Sequence, residues 1–585
     1  MLIQKLRFFC LLVLTLSFLL PATVNATSLN SLHQRAAADF PTVDPNYIYD
    51  QLFYMVTHFQ RREAGYDNNL PVTVNGHDEF AAYWAQEMQR NLTGFGAQVR
   101  RDEFSIQGWQ GRPATVPAFN VEVTIPGVSH PEQVVVIGCH YDAEASSTQS
   151  ANDDASGCAI ELGVAKAMGA YWRSHQLYPA RTLRFVIFDA EEQGLYGSFH
   201  YLNSTINGDV KNLVAMFNEE QNGIAYPLRY LGQLSNPILP FFIDMSPLQN
   251  NQLYAHQDEL SQQQKDAISH FRSLMQQAVI ASFAQFQKMG YQMLSYHNSN
   301  QQDVFQPIFT SDQMKNIQQE DDTLGGSDQI PFTLAGLPCA TFVGNSSYYD
   351  QNPPPWSYPF DQPQDTIQLM NTFADGSSLK SYALVMALGL PGMLTTWMLN
   401  QPEILGQASS NHSPIAAISD VGQTIAGHSL TLDARASYDP SGNALTYAWD
   451  FGDGTQANGI AVSHTYSRKG TYDLKLRVSS IEGTRTITKV INVVTQPTSY
   501  SNPYASEPQN GVPPVNPAVT LPTPNDQLSD KVITTTAATA TATALMSTSS
   551  TMNFSVGWIV GGLIIAVLLI GGVVVVFVRR KARVS

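Results

Sequence analysis

Three short apolar runs, each followed by acidic or imidazole side chains, constrain the fold of this chain most. They cover residues 134–138, 183–188 and 213–217, and helical periodicity at 155–172 separates the first two. Apolar, β-branched strands that alternate with helices are typical of a largely parallel sheet with helices on both faces. The sequence therefore predicts a large α/β domain, with a mixed, largely parallel sheet, over residues 27–400.

Further elements of this domain follow from the same patterns. Helices are predicted at 47–62, 78–92 and 378–399, and strands at 97–104, 116–125 and 340–343. Residues 226–320 are less regular, with a glutamine-rich helical stretch at 258–289 and no readable motif. We interpret this region as an insertion or a lid over the α/β core.

Length and charge limit the class of protein. A chain of 585 residues suggests roughly three to five domains. Hydrophobic residues make up 43%, enough for a large core, and the formal net charge is −16. An acidic chain has no general attraction for phosphate backbones, so nucleic acid is not an expected partner.

The N-terminus is predicted to be a secretory signal peptide over residues 1–26. Lys5 and Arg7 provide positive charge, an apolar run follows at 8–20, and Val24-Asn25-Ala26 is a suitable cleavage site. An uncleaved anchor is the alternative, but the apolar run is short for a membrane span.

The C-terminus is predicted to anchor the protein in the cell membrane. Residues 556–578 carry no charge, and about 20 apolar residues cross a bilayer as a helix. A basic tail follows at 579–585, so a single transmembrane helix would leave the preceding domains outside the cell. Residues 496–555 are rich in Pro, Ser, Thr and Ala and are predicted to form a stalk.

Between the α/β domain and the stalk, the hydrophobic pattern changes to alternation. Residues 429–433, 445–449, 472–478 and 486–494 alternate between apolar and polar side chains. Short strands at this spacing, separated by turns, predict a small β-sandwich over 413–495.

Acidic and imidazole residues follow the predicted strands of the α/β domain. Ligand sites in parallel α/β sheets lie beyond the carboxyl ends of the strands, so these clusters are expected to meet. Imidazole with carboxylates suits Zn²⁺, and a carboxylate that bridges two ions gives a two-metal site. Of the adjacent Glu191 and Glu192, one can ligate a metal while the other accepts a proton from water.

Four successive motifs resemble those of metallopeptidase family 28, the co-catalytic zinc aminopeptidases. These are His140-x-Asp142, Asn152-Asp153-Asp154-Ala-Ser-Gly157, Glu191-Glu192-x-Gly194 and Asn218-x-Glu220-x-x-Gly223. The resemblance covers about residues 45–400 and implies the zinc aminopeptidase-like fold. It implies an enzyme that removes N-terminal residues from peptide or protein substrates, and the predicted signal peptide and membrane anchor would place this enzyme outside the cytoplasm.

The resemblance also implies a role for each matching residue. His140 and Glu220 would bind one metal, Glu192 the other, and Asp153 would bridge two Zn²⁺ ions per chain. Glu191 would be the general base for metal-activated water, and Asp142 would orient His140. Glu219 competes with Glu220, although the spacing to the glycine favours Glu220.

Two positions depart from the family pattern. The last metal ligand of the family is a histidine, and the matching position here is Asp361. The family motif Ser-Asp-His reads Ser327-Asp328-Gln329. Because carboxylate ligands also suit Mn²⁺ or Mg²⁺, these changes leave open which metal occupies the second site.

Two further resemblances complete the sequence-based predictions. Cys139 and Cys158 match cysteines that form a disulfide in the related glutaminyl cyclases, and two buried thiols are the alternative. Residues 413–495, with Trp449-Asp450-Phe451-Gly452, resemble a PKD domain, an immunoglobulin-like sandwich. Such a module would act as a spacer or as a surface or protein contact.

Three functions remain compatible with these residues. The first is an aminopeptidase. The second is a glutaminyl-cyclase-like acyltransferase on the same fold. The third is a binding ectodomain with a degenerate peptidase fold, which the changes at Asp361 and Gln329 favour. The retained acidic and imidazole residues of the four motifs favour the aminopeptidase.

Overall fold

A computed structural model describes most of residues 39–495 and two short stretches near the C-terminus. The described ranges are 39–64, 75–107, 115–205, 210–223, 229–230, 233–234, 242–249, 260–291, 293–297, 303–307, 318–322, 326–344, 358–375, 377–409, 413–419, 421, 424–495, 563–570 and 573–580. The predicted signal peptide and stalk lie outside them. The chain divides into two compact units, Met1–Asn516 and Pro517–Ser585.

An eight-stranded mixed sheet forms the centre of the first unit. In chain order, the strands before the sandwich are β1 Gln98–Gln107, β2 Thr115–Ile125, β3 His130–His140, β4 Leu177–Pro179, β5 Arg181–Phe188, β6 Leu213–Glu220, β7 Arg229–Tyr230, β8 Gln233–Leu234, β9 Phe242–Met245, β10 Met293–His297, β11 Asp303–Pro307, β12 Gln318–Asp321, β13 Cys339–Val343 and β14 Gln407–Ser409. The order in the main sheet is β1-β2-β5-β3-β6-β13-β9-β12.

The centre of this sheet is parallel. β3 pairs in parallel with both β5 and β6, and β6 pairs in parallel with β13. Antiparallel pairs lie towards the edges, where β1 pairs with β2 and β2 with β5. The carboxyl ends of β3, β5 and β6 therefore meet at one edge of the sheet, where the acidic motifs follow them.

Helices cover the sheet. They are α1 Pro45–His58, α2 His77–Asn91, α3 Ala155–His175, α4 Tyr196–His200, α5 Gln262–Lys288, α6 Ile330–Leu334, α7 Ile367–Asp375 and α8 Tyr382–Leu399, with a π-helical turn at Tyr201–Thr205 and a 3₁₀ turn at Val210–Asn212. Within the described residues, α8 is the one helix long and apolar enough to cross a membrane, but 94% of it is buried in the fold. Its apolar surface is therefore explained by its place in the core.

The described part of residues 226–320 contributes to the central sheet and to the core. β9 pairs with β13 and β12 pairs with β9, so both extend the central sheet. The helix α5 contributes Phe271 and Leu274 to the main core of the domain. The interpretation of 226–320 as an insertion or a lid stays a prediction.

A β-rich sandwich follows the α/β domain. Its strands are β15 Thr424–Ile425, β16 Leu430–Asp433, β17 Thr446–Asp450, β18 Gln456–Asn458, β19 Ala461–His464, β20 Gly470–Ser480 and β21 Gly483–Val494, in sheets of five and two strands. Trp449, Tyr466 and Leu474 are buried between them. The sandwich packs on the α/β domain at Gly96, where an added Cβ would lie 2.3 Å from the ring of Tyr438.

The second unit differs from the predicted transmembrane helix. Its described residues form two antiparallel strands, β22 Leu563–Ile570 and β23 Val573–Arg580. Valine and isoleucine dominate this stretch, and β-branched residues favour extended backbone. The helical conformation predicted for residues 556–578 is therefore wrong for the described part.

Candidate metal centre

The loop between β3 and α3 carries the residue at the middle of the centre. Asp154 caps α3, because its Oδ1 accepts a hydrogen bond from the Gly157 N–H at 3.0 Å. The preceding Asp153 therefore has a fixed position at the N-terminal end of the helix. Its Oδ2 accepts from the Gln221 side-chain amide at 3.0 Å.

The first group of candidate ligands is His140, Asp153 and Glu220. All three side chains are buried, and their ligand atoms lie within 4.8 Å of one another. The His140 Nε2 lies 2.9 Å from Asp153 Oδ1 and 3.9 Å from Glu220 Oε1. These residues stand at the carboxyl ends of β3 and β6 and in the loop between β3 and α3, so the parallel sheet brings them together.

The second group is Asp153, Glu192 and Asp361, with ligand atoms again within 4.8 Å of one another. Asp153 is common to both groups. Asp361 has a left-handed backbone with φ of +59°, and its carbonyl accepts a hydrogen bond from the Ser146 hydroxyl at 2.6 Å. Its Oδ1 is buried without a hydrogen-bond partner. The structure thus brings all five sequence-predicted ligands into one cluster.

Asp142 lies between His140 and the turn that follows β5. Its Oδ1 lies 3.4 Å from the His140 Nδ1, which is an ion-pair distance and longer than an ordinary hydrogen bond. The same carboxylate accepts hydrogen bonds from the N–H groups of Glu191 at 3.1 Å and Glu192 at 3.3 Å. Asp142 therefore contacts both the predicted ligand and the turn of the predicted base.

The cluster holds more negative charge than its own residues can balance. Burial raises the pKa of Glu192 well above its usual range, and the carboxylates of Asp361 and Asp153 raise it further. Burial raises the pKa of Glu191 as well; His140 opposes this shift and Glu220 adds to it. Cations between these carboxylates would stabilise their ionised forms.

The pKa of the His140 imidazole is also raised, although burial acts against the rise. Burial alone would lower the pKa of His140, but the carboxylates of Glu191, Asp142 and Asp153 outweigh burial and hold the pKa well above its ordinary value. An imidazole that binds a metal is neutral, so a cation competes directly with this proton.

Sequence analysis missed several residues that support the ligands. The Asp365 carboxylate accepts hydrogen bonds from the N–H groups of Asn152 at 2.9 Å and Asp153 at 3.1 Å. Burial raises the pKa of Asp365 to about 7. On the other side, the Ser327 hydroxyl donates to Glu220 Oε2 at 2.5 Å. Both belong to motifs visible in the sequence, but nothing local shows which backbone or side chain they contact.

The structure also places Glu219, the alternative to Glu220, and Gln329, which departs from the family pattern. Glu219 points away from the cluster and accepts from the Thr395 hydroxyl at 2.9 Å, while burial raises its pKa to about 8. Glu220, the next residue on β6, faces the cluster because strand side chains alternate. Gln329 stands where the family motif Ser-Asp-His has its histidine. Its side-chain amide accepts a hydrogen bond from Asn218 at 3.3 Å and donates one to Asp322 at 3.0 Å.

The disulfide predicted between Cys139 and Cys158 stays a prediction. Both residues are buried, at the end of β3 and the start of α3, with Sγ atoms 2.6 Å apart. The two sulfurs are therefore neighbours, as both the disulfide and the alternative of two buried thiols require. As a thiol, Cys139 has a pKa that burial raises well above its usual value, and Cys158 adds to the shift.

Comparison with known protein families assigns both domains. Residues 120–383 match the model of peptidase family M28. This segment is similar to the peptidases of family M28. Residues 411–495 match the model of the PKD domain, in agreement with the resemblance of 413–495. The M28 match contains every candidate ligand and Glu191.

Among similar proteins are a probable zinc metalloprotease from Leptosphaeria maculans and collagenase ColA from Clostridium perfringens. The first is 34% identical over 113 residues, which are 18% of this chain and 25% of that protein. The second is 35% identical over 102 residues, 17% of this chain and 9% of that protein. The chain thus spans about a quarter or less of the length of these relatives.

Two solved structures are also similar to this chain. A glutaminyl cyclase from Porphyromonas gingivalis has a TM-score of 0.39 at 16% identity, covering 61% of this chain and 98% of that one. A zinc aminopeptidase from Bacillus subtilis has a TM-score of 0.39 at 13% identity, covering 62% and 95%.

Proposed function

We propose that this protein is a metallo-aminopeptidase that removes N-terminal residues from peptides. The observation that carries the proposal is the pair of ligand groups that share Asp153, with Glu191 directly before the ligand Glu192. The match of residues 120–383 to the model of peptidase family M28 supports hydrolysis of a peptide bond. The restriction to free N-termini is the part that experiment must test.

The residues present fit zinc. His140 supplies an imidazole nitrogen and four carboxylates supply oxygen, which are the donor types that zinc prefers, and Asp361 Oδ1 is buried with no hydrogen-bond partner. His140, Asp153 and Glu220 would hold one ion, and Asp153, Glu192 and Asp361 a second. Bound zinc supplies Lewis acidity, which polarises a carbonyl and lowers the pKa of water.

The protein's own groups would move the proton. Glu191 accepts a proton from the attacking water and delivers it to the leaving amine, which makes it general base and then general acid. Its backbone N–H donates a hydrogen bond to Asp142, which holds the Glu191 backbone beside the ligand His140. A raised pKa, caused mainly by burial, suits a group that must both accept and return a proton.

The two ion sites differ in ligand chemistry. The second group offers only carboxylate oxygens, because Asp361 stands where the family has histidine. Carboxylates suit Mn²⁺ and Mg²⁺ as well as Zn²⁺. We propose two ions per chain, with zinc at the His140 site and an identity at the Asp361 site that depends on metal supply.

We also propose that the apolar C-terminal segment attaches the protein to the cell membrane, with the M28 and PKD domains outside. Support comes from the uncharged run at 556–578 and the basic tail that follows it. The PKD domain would then act as a spacer or as a contact with surfaces or other proteins.

Metal content and hydrolysis of the full-length protein in detergent test the proposal. We expect about two metal ions per chain by elemental analysis and hydrolysis of aminoacyl anilides, lost on chelation and restored by zinc. The same anilides with acetylated N-termini should be spared. Pyroglutamate formation from a peptide with N-terminal Gln, without anilide hydrolysis, would favour the cyclase. Absence of both metal and turnover would favour a binding ectodomain.

A further inference from the structure

A buried histidine outside the ligand groups joins α2 to the turn that carries Glu191. His77 is the first residue of α2 and is 2% exposed. Its Nδ1 lies 2.9 Å from Asp78 Oδ1, and its Nε2 lies 2.9 Å from Asp189 Oδ1. Asp189 is completely buried and is the first residue after β5.

These contacts define the charge of His77. A neutral imidazole has one N–H, and an ionised carboxylate can only accept a hydrogen bond. Both oxygens of Asp189 accept hydrogen bonds from backbone N–H groups, those of Ala190 at 2.8 Å and Phe119 at 2.8 Å. The other oxygen of Asp78 accepts from Arg101 at 3.2 Å, so both carboxylates act as acceptors. An imidazole that donates to both of them carries two N–H groups, which makes His77 an imidazolium between two carboxylates.

Asp189 stands at one end of a constrained turn. Ala190 has a left-handed backbone with φ of +59°, a conformation that residues other than glycine rarely adopt. The Asp189 carboxylate bonds the Ala190 N–H and so supports this conformation. Further along the turn, Asp142 holds the N–H groups of Glu191 and Glu192.

The turn is thus fixed at two places by two carboxylates. Asp142 is tied to the metal cluster through His140. Asp189 is tied to α2 by the charged hydrogen bond from His77, and to β2 by the Phe119 N–H. Among the contacts of the described residues, the hydrogen bond from His77 links Asp189 to α2, and His77 lies outside the four motifs.

We propose that His77 is a positioning residue, whose imidazolium fixes Asp189 and thereby the turn that presents Glu191 and Glu192. The inference rests on the proposed function for its effect on turnover. Its effect on the turn itself does not depend on any activity. Misplacement of a catalytic group by about 1 Å can cost about 100-fold in rate, which sets the scale of the expected loss.

The first test compares His77→Gln with Tyr83→Phe in the full-length protein. Tyr83 lies on the same helix and donates a hydrogen bond to Gln51 at 2.9 Å, so Tyr83→Phe removes a contact of α2 far from the turn. Hydrogen–deuterium exchange of peptides that cover 189–196 is the measurement. We expect exchange about 10-fold faster in His77→Gln, and unchanged in Tyr83→Phe.

Kinetics separate positioning from general destabilisation. For anilide hydrolysis, His77→Gln should lower kcat by about 10–100-fold with KM within about 2-fold, while Tyr83→Phe keeps both. Asp189→Asn should lose at least as much as His77→Gln, because it also weakens the bonds to the Ala190 and Phe119 N–H groups. The double variant should lose little more than Asp189→Asn, because both changes remove the bond between His77 and Asp189.

Either of two results would overturn the proposal. One is exchange in the turn that is the same in His77→Gln and wild type. The other is an equal change in His77→Gln and Tyr83→Phe. If wild-type protein hydrolyses no anilide, the proposed aminopeptidase function fails, and the exchange experiment still decides the role of His77.

Discussion

Asp153 is the residue on which both ligand groups depend. Its carboxylate lies in both, and its backbone N–H is bound by Asp365. Because two cations that share one carboxylate are held at a short separation, the position of this side chain sets the geometry of the whole centre. Around it, each other candidate ligand serves one group.

Glu191 should be separable from metal binding, because it belongs to neither ligand group. We expect Glu191→Gln to lower kcat at least about 100-fold, since it removes the proton acceptor, while metal content stays at the wild-type level. Elemental analysis and initial rates measure the two effects. Glu87→Gln, the same change at a glutamate of α2 that pairs with Arg90, is the control and should keep the wild-type rate. A wild-type rate in Glu191→Gln would exclude Glu191 as the base.

Asp361 should accept replacement by histidine. Its left-handed backbone is one that Asp, Asn and His adopt more readily than other residues, and histidine is a better zinc ligand than a carboxylate. We expect Asp361→His to retain or increase the zinc bound per chain after dialysis against excess Mn²⁺, measured by elemental analysis. Asp361→Asn, with a weaker ligand, should lose zinc. Loss of zinc in Asp361→His would mean that Asp361 does not face the metals.

At the scale of elements, the parallel strands made the site predictable. β3, β5 and β6 are short apolar runs, and the residues that follow each run meet because parallel strands end at one edge. The partners of those residues could not be predicted. Asp365 lies 212 residues from Asp153, and His77 lies 112 residues from Asp189. No local pattern records contacts over such separations.

The sequence shows apolar strands and helices more clearly than it shows which side chains contact one another. α3 was predictable from its acidic N-cap and apolar length, whereas the packing of α5 on the core was not, because polar residues dominate its sequence. The side chains of Cys139 and Cys158 face each other, and the disulfide predicted for them stays a prediction. An apolar composition shows which segments are buried, but it does not show which two side chains meet.

The link between α2 and the turn after β5 should depend on pH. The pKa of His77 rises from 6.5 to about 9, because Asp189 and Asp78 outweigh the lowering effect of burial. A raised folded-state pKa adds stability that is complete below pH 6.5 and is lost as the pH rises through about 9. The contribution at neutral pH and below is at most roughly 3 kcal/mol.

Denaturant unfolding between pH 6 and 10 measures this contribution. The free energy of unfolding should fall more steeply in wild type than in His77→Gln above pH 7. Asp78, Asp189, Arg101 and Tyr141 also surround the imidazole, so only the difference between the two proteins is assigned to His77. Parallel curves would show that His77 is not charged in the folded protein.

At the scale of the molecule, the sandwich and the α/β domain form one compact unit. The sequence predicted both domains, because hydrophobic periodicity changes from helix-and-strand to strict alternation between them. It did not predict their contact, in which the ring of Tyr438 occupies the space that a side chain at Gly96 would need. Such a contact depends on the surfaces of two finished domains.

Deletion of the C-terminal segment tests whether it attaches the protein to the membrane. Deletion of residues 556–585 should move the protein from the membrane fraction to the soluble fraction without changing anilide hydrolysis, because no candidate ligand lies there. Deletion of 579–585 alone should leave it in the membrane fraction, since the apolar run remains. Sedimentation and immunoblotting measure both. Membrane retention after the longer deletion would contradict the proposed anchor.

The hydrogen bonds from Asp365 to the Asn152–Asp153 loop also bear on when the protein can act. A growing chain releases its N-terminal part first, so His140, Asp153 and Glu220 emerge long before Asp361 and Asp365. Until then, one ligand group lacks a member and the shared carboxylate lacks its backbone support. A half-made chain therefore carries an unfinished centre, and the order of synthesis alone delays activity until the α/β domain is nearly complete.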